Sequence, residues 1–346
     1  MATNNKHEVL EFIKMNPSLS SKEIHDSVNL NISYATLKRI LTQLIIEKLI
    51  IFKGDGRGRK YLLSPTYELL YSINLANYFE KEIDERTIRD SYNFSLIDDV
   101  LCTAQLFTEK ELMYLDDLQK QFKDNISNLS DTEYAKELER LAIDLSWKSS
   151  QIEGNTYSLL ETEHLLKEKE RAKGKSKNEA IMLLNHKTAI DFIVANPDYT
   201  KLLTVSCIED IHSILMKDLG VERNIRKRRM GISGTNYKPL DNEHQIREAL
   251  ENMCKLINGR INVFEKALLA LVLLSYIQAF SDGNKRTARI ISNAILINNV
   301  YCPLSFRTID SVEYKKAMLI FYEQNNISVF KDIFINQFEF AVKTYF

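Results

Sequence analysis

Lys285, Arg286 and Arg289 fall in the first turns of a helical run, "KRTARIISNAILINN" (285–299). Cations are misplaced there, because a helix N-terminus is already electropositive from its dipole and its free N–H groups. Each such placement costs about 0.3–1 kcal/mol, and a bound anion removes the cost. The preceding turn, "SDGN" (281–284), adds Asp282, Gly283 and Asn284. Asn284, the backbone N–H groups, Arg286 and Arg289 can converge on a polyphosphate. The two arginines are three apart and share one face. Asp282 offers a hard oxygen to a Mg²⁺ ion bridging the phosphates.

A second charge stands in an equally unfavourable place. The helix expected from about residue 136 buries Leu138, Leu141, Leu145 and Ile152, and Gly154 is a natural stop. Glu153 therefore falls in the last turn, where a carboxylate opposes the dipole. Pairing Glu153 with Arg289 relieves both violations, and violations of this kind gather at functional sites.

These residues lie in a recognisable pattern. "AFSDGNKRTAR" (279–289) resembles the signature loop of Fic (Fido) proteins: histidine, a small or apolar residue, Phe, any residue, Asp or Glu, Gly-Asn, Gly or Lys, Arg, two of any kind, Arg. Ala279, Phe280, Asp282, Gly283, Asn284, Lys285, Arg286 and Arg289 all match. The resemblance implies a helical core that transfers AMP from ATP to a Ser, Thr or Tyr hydroxyl of a protein target. It assigns Asp282 to Mg²⁺, Asn284 to the α-phosphate, Arg286 and Arg289 to the β- and γ-phosphates, and Phe280 to anchoring the loop. Tyr314, in "SVEYKKAM", sits where the family often places an adenosine-contacting tyrosine. "RKRRMGISGTNYKPL" (226–240) resembles the family's flap, a β-hairpin that orders the target by strand addition through Gly231, Ile232, Ser233, Gly234 and Thr235. "SWKSSQIEGNTYSLLE" (146–161) resembles the family's inhibitory motif, with Ser149, Glu153 and Gly154 matching. That places the chain with the class whose inhibitory helix lies N-terminal to the signature.

One position departs from the pattern. The family's histidine takes the proton of the target hydroxyl, and imidazole suits that task because its pKa lies near working pH. Gln278 stands there, and a carboxamide orients a hydroxyl but accepts no proton. The six histidines, His7, His25, His164, His186, His212 and His244, lie elsewhere. The expected result is weak or absent transfer with nucleotide binding intact. An introduced change, a natural nucleotide-sensing switch and slow substrate-assisted transfer all fit, and Glu153 is the nearby carboxylate able to act on water.

The elements around this site divide into three stretches. Residues 1–65 carry 10 Lys+Arg against 6 Asp+Glu, a net +4. Helices expected at 7–17, 18–28 and from Ser33, followed by a hairpin around "GDGRGR", resemble a winged helix-turn-helix. Tyr34, Lys38, Arg39, Arg57, Arg59 and Lys60 are its candidate DNA contacts. Residues 66–135 read as a helical linker and support, and, with the resemblance, 136–346 as the Fic core with its inhibitory helix at about 136–153. The fold class is thus mainly α, with a β-hairpin flap. The alternative function is a non-catalytic, nucleotide-sensing DNA-binding regulator. Cys102, Cys207, Cys254 and Cys302 form no paired ligand spacing, the first residues lack a signal-peptide core, and the apolar run 267–280 is too short for a bilayer. These features predict a cytoplasmic protein without membrane contact, its oligomeric state open.

Overall fold

The computed structural model describes residues 2–346, apart from the side chains of residues 2–4 and of Arg57, so the expectation for Arg57 lies outside the described residues. The N-terminal stretch folds as α1 (Ala2–Met15), α2 (Ser21–Ser27), α3 (Tyr34–Ile46), β1 (Ile50–Lys53) and β2 (Lys60–Leu63). Ser20 and Glu23 close the capping box that starts α2, and Ser33 caps α3 by accepting from the Thr36 N–H. Val9, Ile13, Ile24, Leu37, Leu41, Leu44 and Tyr61 form a core of their own. The strands pair antiparallel with Lys53 opposite Lys60. Like charges face to face are unfavourable, and Lys60 turns to Glu23 at 2.7 Å. The connection is looser than the tight turn expected from Gly-Asp-Gly: it runs from 54 to 59, with a 3₁₀ turn at Gly56–Gly58.

The larger core is helical. Its first half comprises α4 (Glu109–Ser127), α5 (Asp131–Ile152), α6 (Leu159–Glu168), α7 (Lys177–Ala195) and α8 (Val205–Leu215). The second half comprises α9 (Glu243–Gly259), α10 (Val263–Ile277), α11 (Asn284–Asn298), α12 (Ser311–Gln324) and α13 (Ser328–Tyr345). Residues 66–135 pack onto this core. Leu96, Ile97, Leu101, Leu115, Leu118 and Phe122 lie in the main hydrophobic cluster, because their apolar side chains cover faces that the later helices leave open.

Helix α10, "VFEKALLALVLLSYI", is apolar nearly all round and is enclosed from Ala267 to Ile277. A helix of that composition belongs in the centre of a core. Its partner α11 packs back along it, so the turn between them, residues 278–283, emerges from the buried centre of the core. Asn293, buried beside it, exchanges hydrogen bonds with the Leu304 backbone at 3.1 and 2.6 Å.

The expected flap hairpin is not formed. Across 226–240 the described backbone contains no paired strand, and its one ladder-like contact joins Lys238 to Ser91. The stretch offers consecutive cations and glycines where a hairpin needs alternating apolar residues to fix its register. No helix among the described residues is long and apolar enough to cross a membrane.

Candidate functional site

Helix α10 ends at Gln278, whose backbone is left-handed at φ 54, ψ 53. That conformation costs a residue with a Cβ roughly 1–2 kcal/mol, and the side chain helps offset it. Its Nε2 donates to the Ser275 carbonyl at 2.7 Å and to the Tyr322 hydroxyl at 3.1 Å. Its Oε1 accepts from Asn284 Nδ2 at 3.1 Å, and its backbone carbonyl accepts from Arg226 Nε at 2.6 Å. Asn284 closes the loop from inside: Nδ2 donates to the Phe280 carbonyl at 2.7 Å, and Oδ1 accepts the Phe280 N–H at 2.8 Å. Both amide protons of Asn284 are thereby used. In this arrangement the side chain braces the loop, with no donor left over for the expected α-phosphate contact.

Two further contacts fix the loop from outside. The His212 ring stacks on Phe280 with centroids 3.7 Å apart, and its Nε2 lies 2.9 Å from the Asp282 carbonyl. Gly283 caps α11 at φ +82, and a Cβ there would come within 2.6 Å of Met216 Cε. Glycine suits that position on both counts.

The cations of α11 point inward. Arg289 is fully buried and donates from Nε to Ser149 Oγ at 2.7 Å and from Nη2 to the Ser149 carbonyl at 3.0 Å. Nη2 also meets Glu153 Oε1 at 2.8 Å, while Lys285 Nζ meets Glu153 Oε2 at 3.2 Å. Arg286, 1% exposed, pairs through Nη2 with Asp282 Oδ2 at 3.0 Å. The donor set is unfinished. Nε and Nη1 of Arg286 and Nη1 of Arg289 are buried and find no acceptor among the described residues. Burying such groups unpaired is costly, and a polyphosphate is the chemistry that satisfies them. Asp282 remains largely exposed, with Oδ1 on the Gly283 N–H at 2.6 Å. The described residues hold no cluster of three His, Cys, Asp or Glu. A Mg²⁺ ion at Asp282 therefore fits only as the phosphates' companion, with their oxygens and water completing its shell.

Glu153 caps the C-terminus of α5, and Gly154 follows at φ +99, the turn expected of it. Burial pushes the Glu153 carboxyl up, but the charges of Arg289 and Lys285 outweigh it and hold the group at about 2. The unfolded carboxyl titrates near 4.5, so this contribution to stability is complete above pH 4.5 and drains as pH falls toward 2. His186 and His212 act at milder pH. Burial drives both below the ordinary 6.5, His212 to about 4, so the unfolded chain takes up protons that the folded chain refuses. The expected result is a thermal midpoint that is flat above pH 7 and falls steadily from 6.5 to 4. A midpoint that rises on acidification through pH 6 contradicts buried neutral histidines.

The remaining sequence expectations fare unevenly. Tyr314 lies on the inner side of α12, fully enclosed, with the Arg289 guanidinium 5.1 Å from its ring centroid. It supports an arginine and has no surface for an adenosine, because the helix turns that position into the core. In the flap stretch Gly231, Ser233 and Gly234 are exposed, Ile232 and Thr235 half-buried, and the Gly234 carbonyl accepts from Arg86 Nη2 at 2.8 Å. On α3, Tyr34, Lys38 and Arg39 are exposed, although Tyr34 also holds Ser21 at 2.8 Å. Arg59 covers the Phe52 ring at 4.3 Å, and Lys60 is occupied by Glu23, which removes it from the free cations of the hairpin. In the sequence His186 and His212 have no role and Arg226 only a place at the start of the flap stretch; the folded chain brings His212 and Arg226 to the loop and His186 to Ser149.

Known proteins are similar to this chain in sequence and in fold. Residues 202–296 match the model of the Fic/DOC family. The chain is 28% identical over 210 residues to a protein named protein adenylyltransferase Fic from Aedes aegypti, an overlap of 58% of this chain and 42% of that one. It thus spans less than half the length of this curated relative. Among solved structures it is similar to a Fic family protein from Desulfovibrio desulfuricans G20, with a TM-score of 0.58, 16% identity, and 69% and 74% of the two chains covered. It is also similar to Fic-1 from C. elegans, with a TM-score of 0.57, 20% identity, and 68% and 72% covered. Both likenesses establish the fold of the larger core.

Proposed function

We propose that this chain, which carries a Fic domain, binds Mg–ATP over residues 278–289, is held shut by Glu153, and transfers AMP to protein hydroxyls poorly or not at all. The observation that carries the reading is the unfinished donor set: two buried arginines at a helix N-terminus, three of their nitrogens unpaired, with one carboxylate seated between Arg289 and Lys285. Arg286 and Arg289 take the outer phosphates, the backbone N–H groups of Asn284 and Lys285 the inner ones, and Asp282 would hold the Mg²⁺ ion. That ion would bridge the phosphates and neutralise their charge.

In AMP transfer the target oxygen bonds to the α-phosphorus, the bond to pyrophosphate breaks, and the hydroxyl proton must leave. Gln278 stands where that proton needs an acceptor, and all of its carboxamide is spent on Ser275, Tyr322 and Asn284. It shapes the loop and moves no proton.

A second reading has one observation in its favour. The N-terminal helices and hairpin have the order of a winged helix-turn-helix, and α3 presents Tyr34, Lys38 and Arg39 to solvent. In that reading nucleotide occupancy governs DNA binding and no transfer occurs. The test of the primary reading is Arg286→Met in a Glu153→Gly chain, followed by calorimetric titration with Mg–ATP. A loss of tenfold or more in affinity is expected. Unchanged affinity overturns the cradle.

A further inference from the structure

Helix α7 brings His186 against the inner side of the arginine cluster, and nothing in the proposed reaction uses it. The ring is fully buried, and its Nε2 lies 2.7 Å from Ser149 Oγ. The same Oγ lies 2.7 Å from Arg289 Nε. A guanidinium only donates, so Ser149 must accept on that side, and the hydroxyl has a single proton left to place. If that proton points to His186 Nε2, the imidazole proton sits on Nδ1, and Nδ1–H is the one group left without a partner. If instead Nε2 carries the proton and donates, both the serine proton and the Nδ1 lone pair are stranded. A protonated ring strands the serine proton and Nδ1–H, and sets a third cation beside Arg289 and Arg286, which face it together with Glu153. The first arrangement leaves the fewest unpaired groups, so it prevails.

We infer that His186 is a positioning residue: as a neutral acceptor it takes the Ser149 hydroxyl proton so that a lone pair of Oγ is left facing Arg289 Nε, and it thereby presets that guanidinium for the terminal phosphate of ATP. The inference deepens the reading above and rests on it. Arg289 keeps two bonds to Ser149 when Glu153 withdraws, from Nε to Oγ and from Nη2 to the carbonyl, and presents Nη1 and the rest of Nη2 to the incoming anion. An arginine held in advance loses less freedom on binding. ADP, lacking the terminal phosphate, gains little from that arrangement.

The test uses the full chain with Glu153→Gly, titrated calorimetrically with Mg–ATP and Mg–ADP at pH 6.5, 7.5 and 8.5. Adding His186→Phe is expected to lower ATP affinity about tenfold and leave ADP within about twofold, collapsing the preference for ATP. His186→Gln places an acceptor oxygen near the former Nε2 and is expected to retain most of the preference. Ser149→Ala, which keeps the helix intact, is expected to match His186→Phe and serves if the phenylalanine variant does not fold. All preferences are expected to be flat across the three pH values. An ATP/ADP ratio unmoved by His186→Phe and by Ser149→Ala overturns the inference alone, as does a glutamine variant as impaired as the phenylalanine one. A Glu153→Gly parent that binds neither nucleotide overturns the proposed function, and the inference falls with it.

Discussion

With histidine restored at position 278 in a chain freed of Glu153, AMP transfer from ATP to protein is expected to rise by ~10²–10⁴-fold over the glutamine chain, the usual range for general base catalysis. The structure favours a functioning substitution. Residue 278 ends α10 in a left-handed conformation held by its own N–H on the Leu274 carbonyl and by Arg226 on its carbonyl, and neither contact involves the side chain. An imidazole can also address the Tyr322 hydroxyl or Asn284, which now meet Gln278. It lacks the second N–H with which glutamine reaches Ser275, so a loss of about 1 kcal/mol in stability is expected alongside the gain. Incorporation of α-labelled AMP into protein, with melting measured in parallel, reads both. Equal transfer from glutamine and histidine chains contradicts the account of the base.

Removal of Glu153 is expected to have the other large effect, and it acts on two quantities in opposite directions. In the closed chain ATP must displace a carboxylate that makes charge-assisted contacts with Arg289 and Lys285. The contact with the buried Arg289 contributes about 1.5–3 kcal/mol, and the half-exposed Lys285 little more, so its loss corresponds to a gain of about 10–100-fold in nucleotide affinity. The same substitution leaves Arg289 buried with only neutral partners. Breaking a buried pair in this manner costs up to about 3–5 kcal/mol. The expected chain is therefore less stable alone, and it recovers more stability than the parent when Mg–ATP is added.

The charges that violated local helix rules were the most legible part of the sequence. Glu153 at one helix C-terminus and Arg289 at another's N-terminus are 136 residues apart in the chain, yet their shared misplacement foretold the contact at 2.8 Å. The start of α3 at Ser33 was equally readable, because a capping serine is a short-range pattern. What the sequence hid was decided by long-range packing. Asn284 looked like a phosphate ligand, but whether an amide faces out or closes its own loop depends on carbonyls the turn brings near. Tyr314 looked like a ligand contact until its helix turned it under Arg289. Residues 66–135 showed no chemistry, yet they complete the core and send Arg86 to the Gly234 carbonyl. His186 is separated from Ser149 by 37 residues on another helix, and no spacing rule joins them.

The most direct measurement is calorimetric titration of Mg–ATP into the full chain and into its Glu153→Gly variant at one pH and ionic strength. The account predicts weak binding by the parent and affinity about 10–100-fold higher in the variant, with a lower melting temperature in the absence of nucleotide. Equal affinity in the two chains would contradict it, because Glu153 would then be an ordinary helix-end carboxylate that Arg289 happens to neutralise.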